Sequence, residues 1–163
     1  MDRIWSPWRY QFVTGKAPAA GCIFCQIRDN PEQDEQNLVV YRASSNFIIL
    51  NLFPYTSGHF MIVPYEHVAA LSEARDATTA EMMRLTRLGE QALQEAYHPG
   101  GINLGMNLGA AAGAGIAGHL HLHMLPRWFG DANFLSTIGE TRVLPEELTA
   151  TWRKLKSEFA RLA

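Results

Sequence analysis

The chain lacks three features that would point to a polymer, a membrane or an oxidising compartment. It has no excess of charge: 14 basic side chains stand against 16 acidic ones, a net of −2. Nothing therefore argues for a nucleic-acid polymer as partner. A small phosphorylated ligand stays open, because a pocket needs few charges. Its first residues do not read as an apolar leader, since Asp2 and Arg3 follow Met1 and Trp5, Pro7, Trp8 and Arg9 come next, and no signal peptide is expected. The uncharged stretch over residues 100–118 has the length of a membrane span but carries seven glycines and two asparagines, so it reads as strand plus glycine-rich loop. A cytoplasmic protein without a membrane partner is expected. Cysteine is scarce too: there are two, Cys22 and Cys25, in Cys22-Ile23-Phe24-Cys25. In a reducing compartment that spacing suggests a metal or redox site more than a structural disulfide.

What is present builds one domain. The 163 residues are 47% apolar and 18% charged, enough for a real core, and no repeat or composition shift divides 1–163. Residues 1–21 are irregular and aromatic (Trp5, Trp8, Tyr10, Phe12), which reads as an arm or lid. Residues 29–37 read as a solvated loop. Strand-like runs follow at 38–42, 47–52 and 59–63, the second of them apolar enough to be buried on both faces. The turn Pro54-Tyr55-Thr56-Ser57-Gly58 pairs the last two as antiparallel neighbours. Thr78-Thr79-Ala80-Glu81 has capping-box spacing and starts a helix whose apolar face is Leu85, Leu88, Leu93 and Ala96. His98-Pro99-Gly100-Gly101 ends it. Strands are expected at 102–108 and 119–125. A last helix over 145–163 opens at Pro145-Glu146-Glu147 and carries the stripe Leu148, Trp152, Leu155, Phe159 and Leu162. The order β-β-β-α-β-β-α predicts an antiparallel α+β layer.

His119-Leu120-His121-Leu122-His123 carries the chemistry. Side chains alternate across a strand, so the three imidazoles share one face while Leu120 and Leu122 turn to the core. Such a row either binds a metal directly or lets one imidazole attack a phosphorus centre while its neighbours hold the phosphate. The preceding Asn107-Leu108-Gly109-Ala110-Ala111-Ala112-Gly113-Ala114-Gly115 favours the second, because backbone amides around Gly113 and Gly115 can approach an anion closely.

At these residues the sequence resembles the histidine triad family of nucleotide hydrolases and transferases. The match rests on the triad, on Gly58-His59-Phe60-Met61-Ile62-Val63-Pro64 and on Asn51. The tail from Pro126-Arg127-Trp128 to Phe134 and the arm Trp5-Ser6-Pro7-Trp8-Arg9 resemble the bacterial branch that includes diadenosine tetraphosphate phosphorylases. The resemblance implies a five-stranded antiparallel sheet with two main helices, dimerising so that the sheet continues across subunits. It implies His121 as a nucleophile that forms a nucleotidyl-histidine on the α-phosphorus of a nucleoside phosphate, with His123 and Asn107 on the phosphate oxygens. Asn51 would contact the ribose and His59 would support the triad from behind. Arg127 is a candidate for a distal phosphate and Trp128 for a base. Relatives also place a structural zinc between such a cysteine pair, a histidine after the G-H-x-x-x-x-P strand and the first triad histidine. Here those residues are Cys22, Cys25, His67 and His119.

The reading that follows is cleavage of a dinucleoside polyphosphate, diadenosine tetraphosphate first, by phosphorolysis or hydrolysis. The rivals are an adenosine 5′-phosphoramidate hydrolase and a nucleotide-binding module without catalysis. One departure stands out: between Leu108 and Gly118, where relatives often carry a hydroxyl or amide, this chain has only Gly, Ala and Ile. The leaving-group acid and the acceptor stay open.

Overall fold

The structure, a computed structural model of the chain, describes residues 21–133, 136, 138–139 and 143–163. The aromatic arm, apart from Gly21, and Phe134 of the tail lie outside the described residues. Five strands form one antiparallel sheet: β1 (Val39–Arg42), β2 (Asn46–Leu50), β3 (Phe60–Pro64), β4 (Gly101–Gly105) and β5 (Leu122–Arg127). They lie side by side in the order β1-β2-β3-β5-β4. Among the described residues the long helices are α2 (Asp76–Tyr97) and α3 (Leu148–Leu162), and a short α1 (Ile23–Asp29) precedes β1. Sequence reading anticipated the antiparallel α+β layer and both long helices, but not α1.

Every residue of β2 and of β3 is buried, because both faces of the sheet are covered. On one face Leu50, Phe60, Ile62 and Met124 meet Leu85 and Leu93 of α2 and Leu155 and Phe159 of α3. The approach of α2 is close enough that a Cβ on Gly89 would sit 2.6 Å from the Phe60 ring, so only glycine fits there without repacking. On the other face Phe47, Ile49, Met61 and Val63 receive Phe24 and Ile27 of α1. Alternation puts Leu120, Leu122 and Met124 on the long-helix face and turns the triad histidines to the α1 face. In register, Met61 stands opposite His123.

Four expected boundaries are corrected. The last helix, expected to open at Pro145, starts at Leu148 after Glu147. The helix expected to start at Thr78 starts at Asp76 after Arg75, which makes no side-chain cap bond. Its supposed capping-box glutamate, Glu81, instead accepts hydrogen bonds from the Ser44 and Ser45 amides (3.2 and 2.7 Å) and from Asn46 Nδ2 (2.9 Å), pinning the β1–β2 turn to α2. Burial opposes the charge of Glu81, but these bonds win and hold its carboxyl below the usual range. The strand expected over 119–125 begins only at Leu122. Its partner β3 ends in Pro64, which has no amide hydrogen to extend the ladder. The chain before Leu122 hydrogen-bonds elsewhere, with the Leu120 amide donating to the Val68 carbonyl at 2.7 Å. The strand expected over 102–108 is shorter, Gly101–Gly105, and forms an exposed edge.

Candidate active site

The two ends of the histidine segment face different surroundings. His121 and His123 line a cavity of about 580 Å³ together with Asn51, Asn107, Gly113 and Gly115, all of them sequence-level candidates. Its remaining walls are Phe24, Phe53, Pro54, Tyr55, Met61 and Ile116. His59 sits behind, almost completely buried. Sequence reading missed the walls from Phe24 and Tyr55. Phe24 was visible only as the aromatic between the cysteines, and Tyr55 only as a turn residue.

Backbone groups decide which ring nitrogen each imidazole presents. His121 Nδ1 lies 2.8 Å from the His119 carbonyl. A carbonyl only accepts, so Nδ1 carries the hydrogen and Nε2 keeps its lone pair. The Tyr55 amide donates to His59 Nδ1 at 3.1 Å. His59 therefore carries its hydrogen on Nε2 and donates it to His123 Nδ1 at 2.9 Å. By the same logic His123 holds its hydrogen on Nε2, as a donor. Neutral rings are required for this relay, and burial enforces them. Burial, with the neighbouring His123 and His121, pulls His59 down to about 3. Burial and then His121 pull His123 down to about 4. Asn51 binds the adjoining turn, its Oδ1 accepting the Phe53 amide at 3.0 Å while its Nδ2 lies 3.3 Å from His59 Nδ1.

Two candidates do not join this cavity. The Arg127 guanidinium is held by Asp131 (2.5 and 2.8 Å) and by Asn103 Oδ1 (2.7 Å). Trp128 packs edge-on against Tyr97 and lines a second cavity of about 550 Å³, which also includes Glu146 and Lys154 and shares Tyr55 with the first.

At the other end, His119 turns toward α1. Its Nε2 donates to the Pro64 carbonyl at 2.9 Å, which leaves the Nδ1 lone pair free. That nitrogen lies 3.2 Å from Cys22 Sγ, 3.7 Å from Cys25 Sγ and 3.2 Å from His67 Nδ1, and Cys25 Sγ is 3.3 Å from His67 Nδ1. The donor atoms of all four residues lie within 4.8 Å of one another. With metal–sulfur bonds of ~2.3 Å and metal–nitrogen bonds of ~2.0 Å, the edges of a tetrahedron around zinc run from about 3.3 to about 3.8 Å. The donor set, the spacing and the outer hydrogen bond from His119 to Pro64 fit a four-coordinate metal site.

Comparison with known proteins agrees with this geometry. A family model described as the HIT domain matches residues 32–130. The chain is 38% identical to an AP-4-A phosphorylase of Mycobacterium tuberculosis over 167 residues, which takes in 99% of this chain and 86% of that protein. Among solved structures, a zinc-bound histidine triad family protein of Mycobacterium smegmatis superposes with a TM-score of 0.71 at 29% identity, covering 87% of this chain and 95% of that one. A hypothetical histidine triad nucleotide-binding protein of Sulfolobus tokodaii gives 0.69 at 28% identity over 86% of this chain and 93% of that one. The motif, the fold and the cavity converge with these matches, and the chain belongs to the histidine triad, or HIT, family.

Proposed function

We propose that the protein cleaves dinucleoside polyphosphates of the diadenosine tetraphosphate class by way of a nucleotidyl-histidine, with inorganic phosphate as the acceptor. The observation that carries this is the lone pair on His121 Nε2, fixed by the Nδ1–H bond to the His119 carbonyl, on a ring that lines the cavity beside His123. His121 Nε2 attacks the α-phosphorus. The bond from phosphorus to the bridging oxygen breaks, and its electron pair leaves with the second nucleotide. The His119 carbonyl faces the positive charge that develops on the His121 ring. His123, oriented by His59, supplies its Nε2–H to the phosphate oxygens or to the departing oxygen. Asn107 and the amides around Gly113 and Gly115 are placed to hold the phosphate, and Asn51 to meet the ribose. In the second step an acceptor oxygen attacks phosphorus, the phosphorus–nitrogen bond breaks and its electron pair returns to Nε2.

The cavity wall supports phosphate as the acceptor. Among the described residues that line it there is no carboxylate or lysine, and His123 is neutral with its Nδ1 already engaged. Water needs a base, whereas inorganic phosphate arrives as an anion. The likeness to an AP-4-A phosphorylase points the same way. The protein is to be incubated with diadenosine tetraphosphate, with and without phosphate, and the products separated. ADP plus ATP formed only with phosphate supports the reading. AMP plus ATP formed without it makes the enzyme a hydrolase, and turnover of adenosine 5′-phosphoramidate alone replaces the substrate class.

Cys22, Cys25, His67 and His119 would hold a structural zinc. All four positions are protein ligands, so the metal supplies order and folding energy rather than a site for substrate. A cysteine pair without a disulfide is at home in a reducing compartment, and a cytoplasmic location is the reading we propose. No helix among the described residues is long and apolar enough to cross a membrane. The assembly we propose is a homodimer through the exposed edge of β4, where Leu104 is 57% exposed. Met82 belongs to the chain's own core, so the part of α2 left for such an interface is the side that carries Met83.

A further inference from the structure

A metal corner with a purely structural duty leaves the redox chemistry of its two thiols unused. Cys22 precedes α1 in extended geometry (φ −81°, ψ 125°), and its carbonyl accepts the Gln26 amide at 3.1 Å, the first bond of the helix. Cys25 lies one turn on, and the two sulfur atoms are within 4.8 Å of each other. Both cysteines are half-buried and within reach of a small oxidant. The residue between them that matters is Phe24. Its buried ring packs on His119 at 5.3 Å and on His121 at 5.4 Å, and it forms a wall of the histidine cavity. Any change in the first turn of α1, from Cys22 to Cys25, is therefore felt at His121.

We propose that Cys22 and Cys25 are a peroxide-sensitive pair whose disulfide takes the place of the metal and shifts Phe24 at the nucleotide cavity. The proposal rests on the zinc and nucleotide readings above for what the disulfide displaces and what it disturbs. One thiolate attacks a peroxide oxygen, the O–O bond breaks, and a sulfenic acid forms as hydroxide leaves. The second thiolate attacks that sulfur, forming the S–S bond and expelling a second hydroxide. Two electrons pass from the sulfurs to the peroxide and two protons from solvent complete two waters; a zinc held by Cys22, Cys25, His67 and His119 would lose both of its sulfur ligands and be released. His119 stays tied to Pro64 through Nε2, so the segment keeps its place while its Nδ1 loses its partners. A thiol reductant with zinc reverses the change.

The test treats the intact protein with hydrogen peroxide and follows three readouts. Zinc release is followed with a chromogenic chelator, the disulfide by the mass of the peptide that holds both cysteines, and nucleotide binding by titration with AMP. The expected result is one zinc released per disulfide formed and an affinity for AMP lowered about tenfold, both restored by reductant and zinc. In Phe24→Ala the disulfide should form as before, but oxidation should no longer change the affinity. Thiols that remain alkylatable after peroxide, or a sulfinic acid in place of the disulfide, overturn the proposal. A disulfide that leaves AMP binding unchanged overturns its coupling to the cavity. Untreated protein is assayed first. Protein without zinc refutes the metal reading and with it the displacement step, and protein that binds no AMP refutes the nucleotide reading and with it the coupling. The disulfide count answers separately from both.

Discussion

His119 and His121 stand two residues apart on the same face and hydrogen-bond to main-chain carbonyls through opposite ring nitrogens. His119 gives Nε2–H to Pro64 and shows Nδ1 to the cysteines, while His121 gives Nδ1–H to His119 and shows Nε2 to the cavity. The same side chain thus offers Nδ1 to a cluster of possible metal ligands at one position and Nε2 to the cavity at the other, and the difference lies in which carbonyl comes within reach. A histidine's duty is set by the nitrogen it has left over. The two regions are joined by the His119 carbonyl and by the Phe24 ring, which touches both histidines.

The sharpest way to break this comparison is to remove one side of it. His121→Gly should lower kcat by about 10³-fold or more, since the covalent route is lost. Its melting temperature should stay near that of the wild type. Steady-state kinetics and a thermal melt decide the matter together, and a variant that keeps more than about a tenth of the wild-type kcat is incompatible with a nucleophilic His121.

The metal side should behave in the opposite way. If the proposed zinc is bound, Cys22→Ser should lower the zinc content from about one per chain and lower the melting temperature with it, because metal binding at such a site is folding energy. Activity should fall in parallel with stability. A chelator added during a rapid assay should do little before the ion leaves. Elemental analysis that finds no zinc in protein purified without chelator would remove the site and leave the nucleotidyl chemistry standing.

A smaller effect concerns pH. Unfolded, His59 and His123 take up a proton near 6.5; folded, they do so only near 3 and near 4. Between those values the unfolded chain binds more protons. The stability these two groups contribute is therefore complete above about pH 6.5 and is lost as pH falls toward 4. His59→Gln should flatten that loss. Melting temperatures at about pH 7 and about pH 5 measure it, and equal slopes in variant and wild type would show that His59 is not held neutral.

The smallest expected effect belongs to Arg127, whose guanidinium is already engaged by Asp131 and Asn103. Arg127→Ala should change KM for diadenosine tetraphosphate by less than about threefold, because its guanidinium is tied to Asp131 outside the histidine cavity. A large rise in KM would return it to the distal phosphate that sequence reading offered it.

Much of the site was legible because its parts are close in sequence or repeat a strand period. The alternation at 119–123 separates the histidines from Leu120 and Leu122, and it holds even though the regular strand begins only at Leu122. Glu81 shows where such reading fails. Its spacing from Thr78 imitates a cap, but a buried carboxylate near unpaired amides at Ser44 and Ser45 binds them instead. The helix α1 was missed because seven residues carry too little periodicity to register. Its formation depends on Phe24 and Ile27 finding the uncovered face of the sheet.

Residue type, spacing and periodicity were enough for the histidine row, the glycine-rich loop beside it, the cysteine pair and the antiparallel α+β layer, while His67 and His119 joined the cysteines as metal-site candidates only through the resemblance to the family. Only the tertiary structure decided that Cys22 meets His119 across 97 residues, that Pro64 and His119 set opposite tautomers two residues apart, and that Phe24 and Tyr55 wall the cavity while Arg127 and Trp128 stand outside it. A tautomer is fixed by whichever hydrogen-bonding partner the folded backbone brings near a ring nitrogen. That partner can come from 55 residues away, where no local pattern records it.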